Sequence, residues 1–402
     1  MKRGCFSSVY GRRPVADNET QPLKLYLIAG EPSGDLLAGR LIAALKRATD
    51  REVEFYGVGG EAMSREGLQS LFPMVELSVM GIAEILPQAF HLMRRMRETA
   101  RDIRRVRPDV VVTVDAPAFC LGVLKRLGDF PVRKIHYVAP SVWAWHPGRA
   151  HKFARVFDHL MALLPFEPPY FERAGLKTSF VGHSVAEAGV EKADGVAFRA
   201  HHRIAVGAPL LCVLPGSRMG EVTRHLEPFG GAVDILRQRH PGLSIVVPTI
   251  PALAEFVRSK TTQWPLPVIV VETETERFAA MVASDIALAA SGTVALELAM
   301  AKTPSVVAYR VHPLTHLIVM GLIKIEFANL VNLLLERRAV PEFLQGDCRS
   351  DLLAEAVGCL LNDGAARAEQ VSAYREAVAM LVIDEKEPSA AAAKCVLKVV
   401  GV

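Results

Sequence analysis

The stretch LCVLPGSRMGE, residues 211–221, indicates most directly how this chain folds. Its apolar run predicts a buried strand, the Pro-Gly-Ser-Arg segment predicts a tight turn, and an amphipathic helical pattern follows. The stretch SGTVALE, residues 291–297, follows a second apolar run and has the same order. Each turn should therefore bring free backbone N–H groups and the positive end of a helix to the carboxyl end of a strand, which suits an anion.

The side chains around these two turns suggest what they bind. The planar guanidinium of Arg218 matches phosphate oxygens, and the Glu297 carboxylate can accept hydrogen bonds from a ribose diol. We therefore expect a diphosphate at the first turn and a nucleoside at the second; the alternative is two ordinary turns with an exposed Arg. Asn332 could bind a polar ligand group or cap the next turn. The residues expected to bind substrate in this half are Ser217, Glu221, Ser291, Gly292, Thr293, Glu297 and Asn332.

Composition limits the class of protein. The chain has 402 residues, half of them hydrophobic and 22% charged, which is typical of a globular protein with about two domains. A net charge of +4 is too small for a nucleic-acid binder but suits a surface that meets anionic substrates or lipids. The six cysteines are scattered without a CxxC pair, which predicts a reducing compartment and no structural metal.

The distribution of apolar residues predicts neither export nor insertion into a membrane. Residues 1–21 carry four cationic side chains but no apolar core, so we predict a disordered leader rather than a secretory signal. The longest apolar stretch, 314–323, is far shorter than the roughly 20 residues that a spanning helix needs. Any role at a membrane should therefore be peripheral.

Short apolar runs alternate with helical patterns in two successive series. They predict an α/β protein with two doubly wound, Rossmann-like domains, each on a mostly parallel sheet, that face a cleft. The polar segment 186–208 is predicted to be an irregular linker, which gives domains at 22–205 and 206–374 and a C-terminal helical segment, 375–402, that packs back on the first domain. The predicted strands are residues 25–29, 54–58, 110–114, 134–138, 159–163, 210–214, 244–248, 268–271, 285–289 and 305–309.

Two glycine-rich turns follow the first two predicted strands. The turn GEPSGD, residues 30–35, could approach an anion or a sugar hydroxyl through Ser33, Gly34 and Asp35, or Ser33 or Asp35 could simply cap the next helix. The segment GVGGEA, residues 57–62, formally matches the GxGxxA dinucleotide pattern, but no convincing ribose-binding acid follows it. We therefore expect substrate contacts at the first turn and no nicotinamide at the second.

Asp115 and two tryptophans follow later strands of the first series. Asp115 lies between the strand VVVTV and a proline, where its carboxylate could act as a general base or cap the next helix. Trp143 and Trp145 lie two residues apart between prolines, so both rings should face one side. They could line a groove for a sugar or an acyl chain, or they could belong to the core.

A basic amphipathic helix is predicted within residues 81–107. It carries seven arginines between 94 and 107, and the preceding apolar segment contains Met80 and Ile82. Such a helix often lies on a membrane interface, although a solvated basic face is the alternative. We expect this segment to contact lipid.

These motifs, in their order along residues 24–345, resemble the lipid-A-disaccharide synthases, which are glycosyltransferases of the two-Rossmann-domain GT-B type. One departure is ANLV at 328–331, where the family has a Ser-Leu-Pro type segment; the missing proline loosens the turn before Asn332. The matching motifs are GEPSGD from 30, GVGGEAM from 57, LSVMGIAEIL from 77, VDAP from 114, HYVAPSVWAW from 136, LPFEPPYF from 164, VGHS from 181, LPGSRMGEV from 214, ASGTVALELAMAKTPSVVAYR from 290 and NLLLERRAVPEFLQ from 332.

The resemblance implies an inverting transfer without a metal or a cofactor. The family joins UDP-2,3-diacylglucosamine to 2,3-diacylglucosamine 1-phosphate, forms a β-1,6-linked disaccharide 1-phosphate and releases UDP. For such a transfer we assign the base to Asp115, with a residue of the turn 30–35 as the alternative, and stabilisation of the departing diphosphate to Arg218. We expect the acceptor or its lipid to contact Met80, Ile82, Trp143 and Trp145. The resemblance also implies that the C-terminal domain binds the UDP-sugar. It further implies a cytoplasmic protein at the inner face of the inner membrane, with no nucleic-acid partner and a homodimer as one form of assembly.

Two alternatives remain open from the sequence. One is another GT-B enzyme that uses a UDP-sugar, such as an epimerase or a glycosyltransferase without a lipid substrate. The other is a dinucleotide-binding regulatory module without chemistry. Membrane association would argue against the first, and UDP binding without NADH binding would argue against the second.

Overall fold

The computed structural model describes residues 21–77, 85–144, 148–311, 326–383 and 387–402. The predicted leader up to residue 20, together with Met80, Ile82 and Trp145, lies outside the described residues. The chain divides into two compact units. The first unit ends at Tyr137 and takes in Val396–Val402, and the second unit is Val138–Cys395.

The chain forms two sheets whose paired strands are parallel. The first sheet has the order β3-β2-β1-β4-β5-β6-β7, and the second has the order β10-β9-β8-β11-β12-β13. The strands of the first sheet are β1 (Leu23–Ala29), β2 (Val53–Val58), β3 (Gln69–Ser70), β4 (Val110–Val114), β5 (Arg133–Tyr137), β6 (His159–Ala162) and β7 (Lys177–Phe180). Those of the second are β8 (Leu210–Leu214), β9 (Ser244–Pro248), β10 (Val268–Val271), β11 (Ile286–Ala290), β12 (Ser305–Tyr309) and β13 (Glu342–Leu344).

In both sheets the strand order reverses beside the first strand. β1 lies between β2 and β4, and β8 lies between β9 and β11. The register pairs Ala29 with Val114 and Leu214 with Ala289, which are the last or next-to-last residues of their strands. The two turns that leave each reversal point therefore start side by side, which is where open α/β sheets bind ligands.

Helices connect the strands and cover both faces of the sheets. In the first unit they are α1 (Pro32–Ala48), α2 (Glu61–Arg65), α3 (Ile85–Val106) and α4 (Pro117–Leu127). In the second unit they are α5 (Arg149–Ala154), α6 (Pro168–Glu172), α7 (Gly195–His201), α8 (Met219–Arg239), α9 (Pro251–Thr261), α10 (Glu274–Ala283), α11 (Val294–Ala301), α12 (Leu330–Leu335), α13 (Ser350–Asn362) and α14 (Gly364–Ala379). The last helix is α15 (Pro388–Val400).

The second sheet is buried on both faces, because its strands alternate between two apolar clusters. One cluster packs Phe229 of α8 and Val357 of α13 against strand residues such as Val213. The other packs Phe278 of α10 and Leu298 of α11 against residues such as Cys212. Continuous apolar strands of this kind are typical of parallel sheets between helix layers.

The structure confirms the predicted fold class and corrects two local predictions. The segment 186–208 is not irregular: it contains α7 and the 3-10 turn Val190–Lys192, and its Val190 and Phe198 are buried in the core of the second unit. Three edge strands, β3, β7 and β13, were not predicted, because they have two to four residues and no continuous apolar run. The domain boundary at 205/206 stays a prediction. No helix in the described parts of the chain is both long and apolar enough to cross a bilayer.

Candidate active site

The turn after β8 is the first half of the predicted nucleotide site. Ser217 and Arg218 are exposed, and Arg218 is the N-cap residue of α8. The only carboxylate found near the Arg218 guanidinium in the described chain is that of Glu221, 3.5 Å away. An exposed cation on such a long contact is available to an anionic ligand, since its present pairing is weak.

Glu221 holds this turn rather than facing solvent. Its side chain is 13% exposed, and its Oε2 accepts a long hydrogen bond of 3.4 Å from the Ser217 amide. The Tyr309 hydroxyl at the end of β12 donates to Oε1 over 3.3 Å. Burial and the neighbouring Glu221 carboxylate both raise the pKa of Tyr309, so the phenol stays a donor.

His225 ties the start of the same turn to β12. Its Nδ1 lies 2.8 Å from the Pro215 carbonyl oxygen, and its Nε2 accepts from the Arg310 amide over 3.0 Å. No sequence motif pointed to this residue. Its spacing of four residues from Glu221, which puts both on one face of α8, was the available signal.

The turn after β11 has unused backbone donors. Ser291 donates its hydroxyl to the Ala328 carbonyl over 2.8 Å, which fixes the turn beside the N-terminus of α12. No acceptor within the described residues pairs with the Gly292 or Thr293 amides, and both residues are exposed. Gly292 has φ +155, and a Cβ built there would meet nothing within 4 Å. The N-terminus of α11 therefore presents free N–H groups to solvent or ligand.

Glu297 lies in the first turn of α11 with half of its carboxylate unpaired. Oε1 forms an ion pair with Arg277 at 3.2 Å, whereas Oε2 is buried and has no hydrogen-bond partner in the described structure. Burial raises the pKa of Glu297 and the Arg277 charge lowers it. A buried acceptor without a partner costs about 1–3 kcal/mol, which a ribose hydroxyl could offset by donating to it.

Asn332 is held by internal hydrogen bonds, whereas the nearby Asn329 keeps one buried donor without a described partner. Asn332 is fully buried, its amide donates to Val340 and Glu342, and its oxygen accepts from the amides of Ala339 and Val340, so its hydrogen-bonding capacity is used. Asn329, one turn earlier, accepts from Val331, but its buried Nδ2 has no partner within the described structure. The binding role of Asn332 stays a prediction, and its contacts are structural.

Asp115 occupies the corresponding edge of the first unit. It follows β4 with φ +50, and the next residue, Ala116, has φ +43, so two successive residues without glycine adopt the left-handed region. The turn from β1 lies against them: a Cβ on Gly30 would meet the Ala116 Cβ at 2.6 Å, and one on Gly34 would meet the Asp115 Cβ at 3.6 Å. The two predicted base regions are therefore neighbours, as the strand register requires.

Asp35 is buried and uses its carboxylate inside the protein. Its oxygens accept from the amides of Gly60, Ala62 and Met63 over 2.7, 2.9 and 3.2 Å. These amides form the N-terminus of α2, which is the segment that matches GxGxxA. A pyrophosphate would need the same donors, but the Asp35 carboxylate already occupies them. Ser33, in contrast, is exposed on the first turn of α1.

Trp143 packs within the second unit. Its ring makes an edge-on contact with Phe166 at 5.4 Å, and its Nε1 donates to Glu167 over 3.3 Å. Glu167 also accepts from the Leu163 and Leu164 amides, and burial raises its pKa to about 7. These contacts favour the core alternative for Trp143, and its acceptor role stays a prediction.

The arginines of α3 fall into two groups. Arg95 lies over the Phe72 ring and forms hydrogen bonds with Glu76 and Glu98, each of 2.7 Å, so its charge is neutralised. Arg94, Arg97 and Arg101 are exposed on one face, at i, i+3 and i+7, and line a shallow depression of about 480 Å³. No described carboxylate pairs with these three, which we call the arginine stripe.

Comparisons with known proteins agree with these features. A family model described as lipid-A-disaccharide synthetase matches residues 25–396. The lipid-A-disaccharide synthase of Rhodospirillum centenum is 51% identical over 382 residues, which cover 94% of this chain and 95% of that protein. The enzyme of the same name from Paramagnetospirillum magneticum is 50% identical over 379 residues, with 93% and 96% covered.

The similar solved structures bear on the fold alone. UDP-GlcNAc 2-epimerase from Neisseria meningitidis, solved with UDP-GlcNAc bound, superposes with a TM-score of 0.61 at 12% identity and covers 94% of this chain and 99% of its own. MurG from Acinetobacter baumannii superposes with a TM-score of 0.53 at 13% identity, with 90% and 99% covered. They confirm the predicted GT-B-like pair of parallel-sheet domains. Because the family model and its close relatives span nearly the whole sequence, this chain belongs to the lipid-A-disaccharide synthase family.

Proposed function

We propose that the chain transfers the diacylglucosamine group of UDP-2,3-diacylglucosamine to 2,3-diacylglucosamine 1-phosphate, with inversion at the anomeric carbon. The observation that carries this proposal is the pair of turns at the reversal point of the second sheet, with exposed Arg218, the free amides of Gly292 and Thr293, and the half-paired Glu297. Full-length similarity to enzymes with the lipid-A-disaccharide synthase name supports the choice of substrates.

The donor binds through its nucleotide. Arg218 and the amides at the N-terminus of α11 contact the diphosphate, since guanidinium and helix N-termini both suit phosphate oxygens. The Glu297 Oε2 accepts from the ribose. As the bond from the anomeric carbon to the diphosphate breaks, its electron pair leaves with UDP, and Arg218 stabilises the charge that develops there.

Asp115 supplies the base. The attacking oxygen is the acceptor's 6-hydroxyl, which forms the new bond to the anomeric carbon while its proton passes to the Asp115 carboxylate. The proximity of the Gly30 turn to Asp115 supports a shared acceptor-binding edge in the first unit, with exposed Ser33 available to a hydroxyl. Asp35 is the weaker candidate, because backbone amides occupy both of its oxygens.

The enzyme works at an anionic membrane surface on the cytoplasmic side. Both substrates carry acyl chains, and each CH₂ removed from water stabilises the bound state by about 0.8 kcal/mol. The arginine stripe supports contact with lipid headgroups, because three cations without described carboxylate partners face one side of α3. Assembly as a homodimer stays a prediction from the family resemblance.

One assay tests the proposal. Purified protein is incubated with the two lipid substrates in mixed micelles, and UDP and disaccharide phosphate are quantified together. Equal amounts of both products are expected, with Asp115→Asn as the inactive control. UDP release that does not need the acceptor, or NADH binding without UDP binding, would support the other two candidate functions instead.

A further inference from the structure

His225 has no role in the reaction described above, yet it is completely buried beside the diphosphate turn. Both ring nitrogens are occupied, by the Pro215 carbonyl at 2.8 Å and the Arg310 amide at 3.0 Å. A backbone amide can only donate, so Nε2 must accept and Nδ1 must carry the proton. The ring is therefore a neutral bridge with one defined tautomer.

This bridge joins two strands that are not neighbours. Pro215 directly follows β8 and Arg310 directly follows β12, while β11 lies between these strands. The ring also stacks on Phe229 and lies against Tyr309, each with ring centroids 5.5 Å apart. Its position is thus fixed by two ring contacts and by hydrogen bonds at both nitrogens.

A second link holds the same turn two residues further on. Tyr309 donates to Glu221, and Glu221 accepts from the Ser217 amide. The turn is consequently held at Pro215 and at Ser217, with Gly216 between them, whereas the Arg218 side chain stays 75% exposed. The structure restrains the backbone of the turn and leaves the cation free to meet a ligand.

We propose that His225 is a positioning residue for the donor's diphosphate: its neutral ring holds the Pro215–Ser217 backbone in the conformation that binds phosphate. The inference rests on the nucleotide role proposed for this turn. Restraint before binding improves affinity, because the ordering of the turn is then not a cost of association.

The bridge should also make nucleotide binding sensitive to acid. Protonation of Nε2 would turn an acceptor into a donor that opposes the Arg310 amide. Burial is the main cause that lowers the pKa of His225; the Pro215 carbonyl and Glu221 raise it, and Arg224 and Arg310 lower it. The charged or titratable groups around the ring are Glu221 and Arg224 on its own helix and Tyr309 and Arg310 at the end of β12.

The test compares His225→Phe with His225→Gln in the full-length protein, using UDP as the probe. Phe keeps the packing but neither hydrogen bond, and we expect UDP affinity to fall about tenfold at pH 8. Gln can accept from one amide and donate to one carbonyl, so it should restore affinity to within about threefold of wild type. His201→Gln, an exposed histidine on α7, is the matched control and should bind UDP normally.

The pH profile separates positioning from a purely structural role. Between pH 8 and pH 5 the UDP phosphate itself gains a proton near pH 6 in every variant. Because burial lowers the pKa of His225, wild type should lose more affinity than His225→Gln only at the acid end of this range, where the difference reports the imidazole. A Phe variant that binds UDP like wild type, or a Gln variant that binds UDP no better than the Phe variant, overturns the inference. Failure of wild type to bind UDP would instead overturn the proposed function.

Discussion

The two units contain similar glycine-rich turns that differ in whether their backbone N–H groups have acceptors. In the first unit, the N-terminus of α2 follows Gly59 and Gly60, and the Asp35 carboxylate fills its donors from 25 residues away. In the second unit, the amides of Gly292 and Thr293 at the N-terminus of α11 meet no described acceptor. A turn motif therefore indicates an anion site only when the protein does not supply its own anion.

The two units should also differ in function, with the base in the first unit and nucleotide binding in the second. Asp115→Asn in the first unit keeps the shape of the side chain but removes the proton acceptor, so we expect turnover to fall by about 100-fold or more. UDP affinity, measured by calorimetry, should change little. The matched control is Asp109→Asn, a carboxylate at the opposite end of β4 that accepts from the Lys24 amide. Retained turnover would reduce Asp115 to a structural residue and make Asp35 the next candidate.

In the second unit, removal of one cation should affect binding and turnover together. Arg218→Ala should weaken UDP binding by about 2 kcal/mol, roughly 30-fold, because a charge-assisted contact to the diphosphate is lost. Calorimetric UDP titration and initial rates measure the two effects. Arg237→Ala, which removes a half-exposed cation paired with Asp234 near the end of α8, should leave both unchanged. Normal UDP binding by Arg218→Ala would contradict the nucleotide assignment.

Substitution of Asp35 should lower the stability of the protein and leave its UDP affinity unchanged. Asp35→Asn places an NH₂ group against backbone donors, and we expect the free energy of unfolding to fall by about 1–2 kcal/mol. A urea titration measures this change, and Asp50→Asn, at an exposed site, is the control. A variant with normal stability but no turnover would mean that Asp35 acts in the reaction.

The smallest expected effect concerns the arginine stripe. Arg97→Gln should weaken binding to anionic vesicles by about 1 kcal/mol, or about fivefold at low salt, and leave UDP affinity unchanged. Vesicle co-sedimentation measures the loss. Arg105→Gln is a suitable control, because Arg105 is exposed on the same helix but paired with Asp102 at 2.6 Å. Equal binding by both variants, independent of salt, would show that the stripe is only a solvated face.

The sequence predicted the central strands because their pattern is local. Most contain a run of at least four apolar or β-branched residues, as in Val110–Val114, followed by a turn. The edge strand β13 escaped prediction because pairing with β12, and not its composition, makes it a strand. The segment 186–208 looked like a linker because its buried Val190 and Phe198 are isolated among polar residues.

The candidate site residues also differ in whether a local sequence pattern points to their surroundings. The placement of Arg218 and Glu297 beside the two turns was predictable, because both stand within a few residues of a turn that follows an apolar run. The contacts made by Asp35, His225 and Asn332 were not predictable, because their partners lie 7 to 85 residues away along the chain. Hydrogen bonds of such range depend on the assembled sheet, which local patterns do not encode.

The backbone at Asp115 and Ala116 has a consequence for how this protein can change. Two successive left-handed residues with side chains cost about 1–2 kcal/mol each, and hydrogen bonds from the Asp115 amide to Tyr137 and from Cys120 to the Asp115 carbonyl help to maintain them. Ala116→Gly would relieve part of that strain and also remove the Cβ that lies beside Gly30. A search for heat-resistant variants should therefore select Ala116→Gly. The variant should have higher thermal stability and a lower catalytic rate, since a relaxed backbone positions the Asp115 carboxylate less precisely.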